Sequence, residues 1–228
     1  MKKPIIWKSI ALVSIILIAD QILKFWVKTH MALGDDFSLI GTWARIHFVE
    51  NPGMAFGWLT GGTTGKAFLS LFRMAAIVAI FWYIRSLIKS RAPQGFILCI
   101  ALILAGAIGN MIDCTLYGLI FDTGTVYQPE SGHYAGYAGI SHLSSEGYAP
   151  FLQGCVVDML SFPIFRGVYP SWMPFIGGDS FLFFAPVFNI ADSAVTVGVF
   201  SILLFYWQYM KQSGKKYGNN DTVPANKI

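Results

Sequence analysis

The stretch FNIADSAVTVG, residues 188–198, decides the fold because it opens an apolar run that continues to about Tyr209. Asn189 and Asp192 lie three residues apart near the start of this run. On a helix, that spacing places the amide and the carboxylate on one face. A carboxylate at the edge of an apolar segment of membrane length is energetically costly, so the pattern predicts a functional site.

The composition of the whole chain indicates a membrane protein. Of its 228 residues, 55% are hydrophobic and 12% are charged, whereas soluble domains carry about 25% charged residues. The mean hydropathy is +0.56. These values predict an all-α membrane protein with four transmembrane helices, a small β-containing extracytoplasmic region and long outer loops.

The apolar runs predict a single membrane-embedded domain over residues 1–228. A transmembrane helix needs about 20 apolar residues, and the predicted helices cover about 5–27, 67–84, 96–117 and 186–209. Extracytoplasmic loops are expected at 29–66 and 118–185. The polar tail, about 211–228, is expected to be disordered.

The first loop contains a strand pattern and a turn. Apolar residues alternate with others from Trp43 to Val49, which is the two-residue period of a strand. Asn51, Pro52 and Gly53 follow as a turn signal. A turn alone would explain these residues, but Asn51 beside an apolar run is also a candidate polar contact in a site.

Two other helices carry polar pairs near the same end of the bundle. Asp20 and Lys24 are one turn apart, with the acid first, which is the better orientation for a helical ion pair. The pair could neutralise itself to ease insertion, or it could position other groups, and both interpretations stay open. Asn110 and Asp113 repeat the amide–carboxylate spacing of the last helix.

The distribution of basic residues predicts the orientation. Four helices leave both termini on one side, which holds ten Lys and Arg residues against three on the other side. Such an excess marks the cytoplasmic side. Polar residues of separate segments then meet near the outer face, namely Asp20, Asn51, Asn110, Asp113, Asp158, Asn189 and Asp192.

Paired carboxylates are the chemistry that this set offers. Asp158, in GCVVDMLSF, is placed in the loop before the last helix, close to Asp192. Two aspartates in one apolar site push their pKa values apart, so one can accept a proton from water while the other donates to a carbonyl. No Ser–His, Cys–His or metal-type spacing competes with this hydrolytic interpretation. An ion pathway through the same acids remains the alternative.

Five ordered blocks resemble those of the bacterial lipoprotein signal peptidase family, also called signal peptidase II or prolipoprotein signal peptidase. The blocks are DQILK (20–24), ENPGMAFG (50–57), GAIGNMID (106–113), VVDM (156–159) and FNIADSAVTVG (188–198). The resemblance implies a four-helix aspartic endopeptidase of the bacterial inner membrane. Its substrates would be diacylglyceryl-modified prolipoproteins, cleaved before the lipidated cysteine of the lipobox.

The resemblance also implies the residue roles. Asp158 and Asp192 take the catalytic positions of a dyad that activates water. The positions of polar support and substrate contact fall on Asp20, Lys24, Asn51, Gly53, Asn110, Asp113, Asn189 and Ala191. Beyond the resemblance, nothing in the sequence demands more than a monomer in contact with membrane lipid. The paired carboxylates need neither metal nor cofactor, and the basic residues lie at membrane boundaries and not in a stripe that would bind nucleic acid. The charge distribution predicts cytoplasmic termini and an active site near the outer face.

Two departures from the family pattern stand out. Cys114 occupies the position after Asp113 where the family usually has arginine, so Arg166, Arg73 and Arg45 are the candidates to replace it. The outer loops are also enlarged, and we expect the stretch 162–184 to form extra cover over the aspartates. A disulfide between Cys114 and Cys155 stays an open alternative.

Three rival interpretations remain weaker. A small transporter, with Asp20, Lys24, Asp113 and Asp192 as a charge relay, predicts acids spread through the membrane and often an internal repeat, neither of which the sequence contains. Other intramembrane aspartyl proteases would carry a Gly-x-Gly-Asp motif, which is absent from this sequence. A catalytically dead relative would be expected to lack one of the two aspartates.

Overall fold

The fold is described by a computed structural model that covers residues 3–41, 43–53, 62–163, 165–183 and 186–211. The helices are α1 (Lys3–His30), α2 (Gly62–Lys89), α3 (Gln94–Ile112), α4 (Gly118–Ile120) and α5 (Ile190–Phe205). A π-helical turn, Asp113–Tyr117, joins α3 to α4. The strands are β1 (Asp36–Ile40), β2 (Ala44–Asn51), β3 (Val126–Gln128), β4 (His133–Ala135), β5 (Val156–Ser161), β6 (Phe165–Val168), β7 (Ser180–Phe183) and β8 (Val187–Phe188).

The prediction of a membrane protein with several apolar helices is confirmed. Within the described residues, three helical segments are long and apolar enough to cross a membrane, namely α1, α2 and the continuous segment Gln94–Ile120. α1 and α2 extend beyond the predicted bounds because their polar ends continue the helix outside the apolar stretch. The fourth apolar helix, α5, has only 16 residues, so its role as a membrane span stays a prediction.

α3 lies at the centre of the bundle and packs against α1, α2 and α5. Small residues allow the closest of these approaches. A Cβ on Gly106 would come within 2.2 Å of the Ala191 carbonyl oxygen, and one on Gly109 within 2.9 Å of the Ala191 Cβ. Glycine at these positions lets two helices meet backbone to backbone, as small residues do inside membranes.

A four-stranded antiparallel sheet, in the order β1-β2-β5-β8, lies beside the helix ends. β2 alternates buried and half-buried residues, which confirms the strand predicted from Trp43–Val49. β5 is buried on both faces. Val157 and Met159 pack in an apolar cluster with Val27 and Phe48, while Asp158 faces the other way.

This arrangement corrects the placement of Asp158. A loop is predicted at this position from the sequence, whereas Asp158 lies in the middle of β5, paired with Val49 of β2. A strand buried on both faces has no alternation of apolar and polar residues, so its sequence carries no period-two signal.

The start of the last helix also needs correction. It was predicted at about residue 186, but α5 begins at Ile190 and Val187–Phe188 pairs with β5 instead. Asn189 has an extended backbone, and its side chain accepts a hydrogen bond from the Asp192 backbone N–H. Asn189 is therefore an N-cap, which ends the strand and starts the helix in one step.

The long segment after α4 folds into two small hairpins. β3 pairs with β4, and β6 pairs with β7. The Phe162 ring lies 5.9 Å from the Trp43 ring and 5.7 Å from the Phe188 ring. This contact fastens the start of the second hairpin to the sheet, while Trp172 and Phe175 are exposed between its strands. Cover over the aspartates by this segment stays a prediction.

Candidate active site

Asp158 is a buried carboxylic acid at the end of the bundle. The Asn189 Nδ2 donates a hydrogen bond of 2.6 Å to its Oδ1, and the Asn51 side chain also bonds to it. Burial, together with the negative charge of nearby Asp192, raises the pKa of Asp158 to about 7, against the opposing effects of Lys24 and of the two asparagine hydrogen bonds. Near neutral pH, Asp158 can therefore hold or release a proton.

Asp192 lies in the first turn of α5. Its Oδ1 accepts a hydrogen bond of 2.7 Å from the Asn110 Nδ2, and its backbone N–H donates to the Asn189 Oδ1 at 2.8 Å. The first turn of a helix favours negative charge because its free N–H groups form the positive end of the helix dipole. The two aspartates therefore sit in unequal surroundings.

Two asparagines connect the aspartates. The Asn189 Nδ2 donates to the Asn110 Oδ1 at 3.1 Å as well as to Asp158. We call the four residues Asp158, Asn189, Asn110 and Asp192 the aspartate centre. Its members come from β5, from the N-cap and the first turn of α5, and from α3, so their side chains meet only in the folded chain.

Lys24 lies beneath the aspartate centre and orients it. Its Nζ is 2.9 Å from the Asp20 Oδ2 and 2.8 Å from the Asp113 Oδ2, and it donates to the Asn110 Oδ1 at 2.9 Å. That contact fixes the amide orientation of Asn110, because the Oδ1 faces the ammonium and the Nδ2 must face Asp192. We call Lys24, Asp20 and Asp113 the Lys24 network.

The Lys24 network also holds the backbone next to each aspartate. The Asp20 Oδ1 accepts the Ala191 N–H at 2.9 Å, and the Asp113 Oδ2 accepts the Val157 N–H at 3.2 Å. Ala191 precedes Asp192, and Val157 precedes Asp158. Of the two interpretations left open for the Asp20–Lys24 pair, this geometry favours the one in which the pair positions other groups.

The turn after β2 brings Asn51 to the site. Gly53 has φ +104°, a conformation that glycine tolerates and other residues rarely adopt. Its N–H donates to the Asn51 Oδ1 at 2.8 Å, which fixes the amide beside Asp158. The rest of this sequence block, residues 54–57, lies outside the described residues.

Three residues around the site, Gln21, Lys28 and Glu50, were not predicted from the sequence. The Gln21 Nε2 donates to the Asp113 Oδ1 at 2.9 Å. Lys28 forms a buried ion pair with Glu50, donates to the Thr123 carbonyl oxygen at 3.0 Å, and lies over three aromatic rings. The spacing of Lys28, four residues after Lys24, is the one sequence signal that could have placed it on the same face.

Three arginines were candidates to replace the family arginine at position 114, and the structure distinguishes two of them. Arg73 reaches Cys114, because its Nη1 donates to the Cys114 Sγ at 3.7 Å. Arg45 of β2 pairs instead with Asp36 of β1 at 2.7 Å, and the side chain of Arg166 lies outside the described residues. Cys114 and Cys155 are both free thiols, so the structure does not contain the disulfide considered above.

The sequence of this chain is similar to those of known proteins. A model of the Signal peptidase (SPase) II family matches residues 12–208. A protein named lipoprotein signal peptidase from Porphyromonas gingivalis is 44% identical over 197 residues, 86% of this chain and 81% of that protein. One of the same name from Amoebophilus asiaticus is 33% identical over 215 residues, 93% of this chain and 83% of that protein. A solved bacterial membrane enzyme superposes with a TM-score of 0.55 at 26% identity, over 89% of this chain and 94% of its own.

Proposed function

Because this chain belongs to the Signal peptidase (SPase) II family, we propose that it removes signal peptides from prolipoproteins. The resemblance inferred from the five sequence blocks is thereby confirmed, and with it the assignment to a family of membrane peptidases. The further proposal is that the substrate carries a diacylglyceryl group and that cleavage occurs just before the lipidated cysteine.

The aspartate centre is the proposed catalytic site. The observation that carries this proposal is that two carboxylates from separate elements are joined through Asn189 and Asn110, with the pKa of Asp158 raised to about 7. Such a pair can share one proton near neutral pH, and we assign that proton to Asp158.

In the proposed reaction a water molecule lies between the aspartates. Ionised Asp192 takes a proton from the water as its oxygen bonds to the scissile carbonyl carbon, and Asp158 gives its proton to the carbonyl oxygen. In the second step the C–N bond breaks. Asp192 then gives its proton to the leaving nitrogen, while Asp158 regains one from a hydroxyl of the intermediate as the C=O re-forms.

The remaining family positions are proposed as support. Asp20, Lys24 and Asp113 fix the backbone beside each aspartate, and they bind no substrate themselves because all three side chains are fully buried. Asn51 and Gly53 lie at the turn next to Asp158 and are the residues proposed to contact substrate. Ala191 stays small because it packs against the glycines of α3.

The membrane arrangement is part of the same proposal. α5 and the helical residues 207–211 would form the fourth span, with both termini in the cytoplasm of a bacterial inner membrane and the aspartate centre near the outer face. A substrate with acyl chains in the bilayer requires a site open to lipid at that depth. This chain would act as a single membrane-embedded monomer.

Cleavage of a defined substrate tests this function. Purified full-length protein is incubated with a diacylglyceryl-modified prolipoprotein and, in parallel, with the unmodified precursor, and product masses are measured. We expect a product that begins with the lipidated cysteine, and little product from the unmodified precursor. No cleavage of the modified substrate, or cleavage at another bond, would overturn the proposal.

A further inference from the structure

Arg73 is a charged residue in the apolar interior of α2. The other basic residues of this helix, Lys66, Arg85 and Lys89, lie within its first turns or its last turns. An arginine inside a membrane span is costly and is retained where it faces the interior of the bundle or a polar cavity. Arg73 is half-buried. The contacts of its guanidinium show what its side chain faces.

The guanidinium of Arg73 lies beside Cys114 and Gly53. Its Nη1 donates to the Cys114 Sγ at 3.7 Å. It also borders Gly53, where an added Cβ would lie 3.5 Å from the Nη1 and 3.8 Å from the Nη2. The group therefore lies between the end of β2 and the π-helical turn.

Both of these neighbours adjoin residues that fix Asp158. Gly53 donates its N–H to Asn51, whose side chain bonds to Asp158. Cys114 follows Asp113, which holds the N–H of Val157 next to Asp158. Arg73 thus contacts two residues that are linked to Asp158, Gly53 through Asn51 and Cys114 through its chain neighbour Asp113.

In the described part of the chain, the one hydrogen-bond acceptor that Arg73 meets is the Cys114 Sγ. Among the described residues, no carboxylate oxygen lies within ion-pair distance of its guanidinium. A guanidinium has five N–H donors, and a thiol is a weak acceptor. A cation at a site border with spare donors and no acid can bind acceptors that arrive with a ligand.

We propose that Arg73 is a substrate-positioning residue that donates hydrogen bonds to backbone carbonyl oxygens beside the scissile bond of the prolipoprotein. Carbonyl oxygens are the acceptors that any peptide supplies, and in an extended chain they recur about every 3.3 Å along the backbone. A peptide bond held at Asp158 therefore brings the flanking carbonyls to the neighbourhood of Gly53. This inference rests on the proposed function and names a residue outside the five sequence blocks.

Substitutions of Arg73 distinguish a role in substrate binding from a role in structural support. We expect Arg73→Gln to lower kcat/KM by about 10- to 100-fold, the range for losing hydrogen bonds to a charged group, mainly through a higher KM. Arg73→Lys should recover only part of this loss, because an ammonium lacks the planar donor fork. Arg85→Gln is the matched control, since it makes the same charge change on the same helix, where Arg85 lies over the Trp82 ring, and it should keep full activity.

Exchanging Arg73 and Cys114 gives a more specific test. Because the Arg73 Nη1 lies beside the Cys114 Sγ, Arg73→Cys combined with Cys114→Arg returns a guanidinium to nearly the same space. We expect the exchange to restore kcat/KM to within about tenfold of wild type, whereas Arg73→Cys alone stays low. A residue needed only for packing of α2 would not be rescued in this way.

A modified substrate keeps the test valid if Arg73→Gln or the exchange fails to fold. A prolipoprotein analogue in which one flanking carbonyl is reduced to methylene should lose affinity for wild type, and much less for Arg73→Lys. Equal KM values for Arg73→Gln and Arg85→Gln, or equal loss on the reduced substrate by wild type and Arg73→Lys, overturn the inference. Failure of wild type to cleave at all counts against the proposed function instead.

Discussion

Two buried lysines on one face of α1 have contrasting partners. Lys24 meets two carboxylates, Asp20 and Asp113, and lies beneath two more in the aspartate centre. Lys28, four residues later, meets one carboxylate, Glu50, and is covered by aromatic rings. We call Lys28, Glu50 and the rings of Phe121, Tyr137 and Tyr148 the Lys28 cluster.

The difference lies in the balance of charge. The Lys28 cluster pairs one cation with one anion and satisfies the Glu50 carboxylate with the Thr125 N–H at 2.6 Å. Around Lys24, four acids share one lysine, so full ionisation would leave excess negative charge in a buried place. A proton retained on Asp158 relieves that excess. The ion pair of Lys28 and Glu50 balances its charges and stabilises the structure. The four acids around Lys24 outnumber their cation, so one acid keeps a proton that can serve in the reaction.

Removing Lys24 should have the largest combined effect, because it should lower both stability and cleavage. Lys24→Met leaves Asp20 and Asp113 without their cation, and breaking a buried ion pair from one side costs about 3–5 kcal/mol. We expect a lower thermal midpoint and loss of cleavage even in the folded fraction, because the Asn110 amide loses the contact that orients it. Thermal unfolding and cleavage per folded molecule measure the two effects. Activity that survives in the folded fraction would show that Lys24 has only a structural role.

The corresponding change at Lys28 should affect stability alone. Lys28→Met leaves Glu50 buried without a cation, with a similar loss of about 3–5 kcal/mol, yet kcat of the folded protein should stay within about threefold of wild type. Adding Glu50→Gln removes the uncompensated charge and should recover at least half of the lost stability. A large fall in kcat for Lys28→Met would mean that the two regions are not functionally distinct.

The pH dependence of kcat/KM should be the smallest of these effects, and it should arise from the aspartate centre. The pKa of Asp158 is raised to about 7, so this carboxyl holds a proton below that pH and loses it above. The proposed acid is then missing, and kcat/KM should fall by up to tenfold per unit above pH 7 in wild type. Lys28→Met should keep the same profile. A rate that rises steadily from pH 6 to 8.5 would contradict the proposed roles.

Much of this architecture follows from local sequence. The apolar runs located the helices, the alternation around Ile46 located β2, and the spacing of Asn189 and Asp192 identified a polar pair. The same pair also fits an N-cap, but the apolar run that begins before it led to a predicted helix start at about residue 186. Asn189 marks the first turn of α5, because an asparagine three residues before a carboxylate suits an N-cap.

Contacts between distant segments could not be predicted from local patterns. Asp158 gave no strand signal because β5 is buried on both faces. Glu50 meets a lysine 22 residues away, and Arg73 meets Cys114 from another helix. Each contact depends on how α1, α2 and the sheet dock, and Gly106 sets one such docking distance through a close approach to Ala191.

The measurement that tests the central claim most directly is a cleavage comparison of Asp158→Asn, Asp192→Asn and the double variant. Asparagine keeps the shape of each side chain and removes the titrating group. Asp36→Asn is the control, because Asp36 lies half-exposed on β1 with Arg45. All variants are checked for folding before their rates on a diacylglyceryl-modified prolipoprotein are compared.

If the two aspartates act as one unit, each single variant loses about 10³-fold or more, and the double variant is little worse than either single variant. Asp36→Asn cleaves at the wild-type rate. A folded single variant that cleaves near the wild-type rate, or losses that multiply in the double variant, would contradict a shared catalytic proton in the aspartate centre.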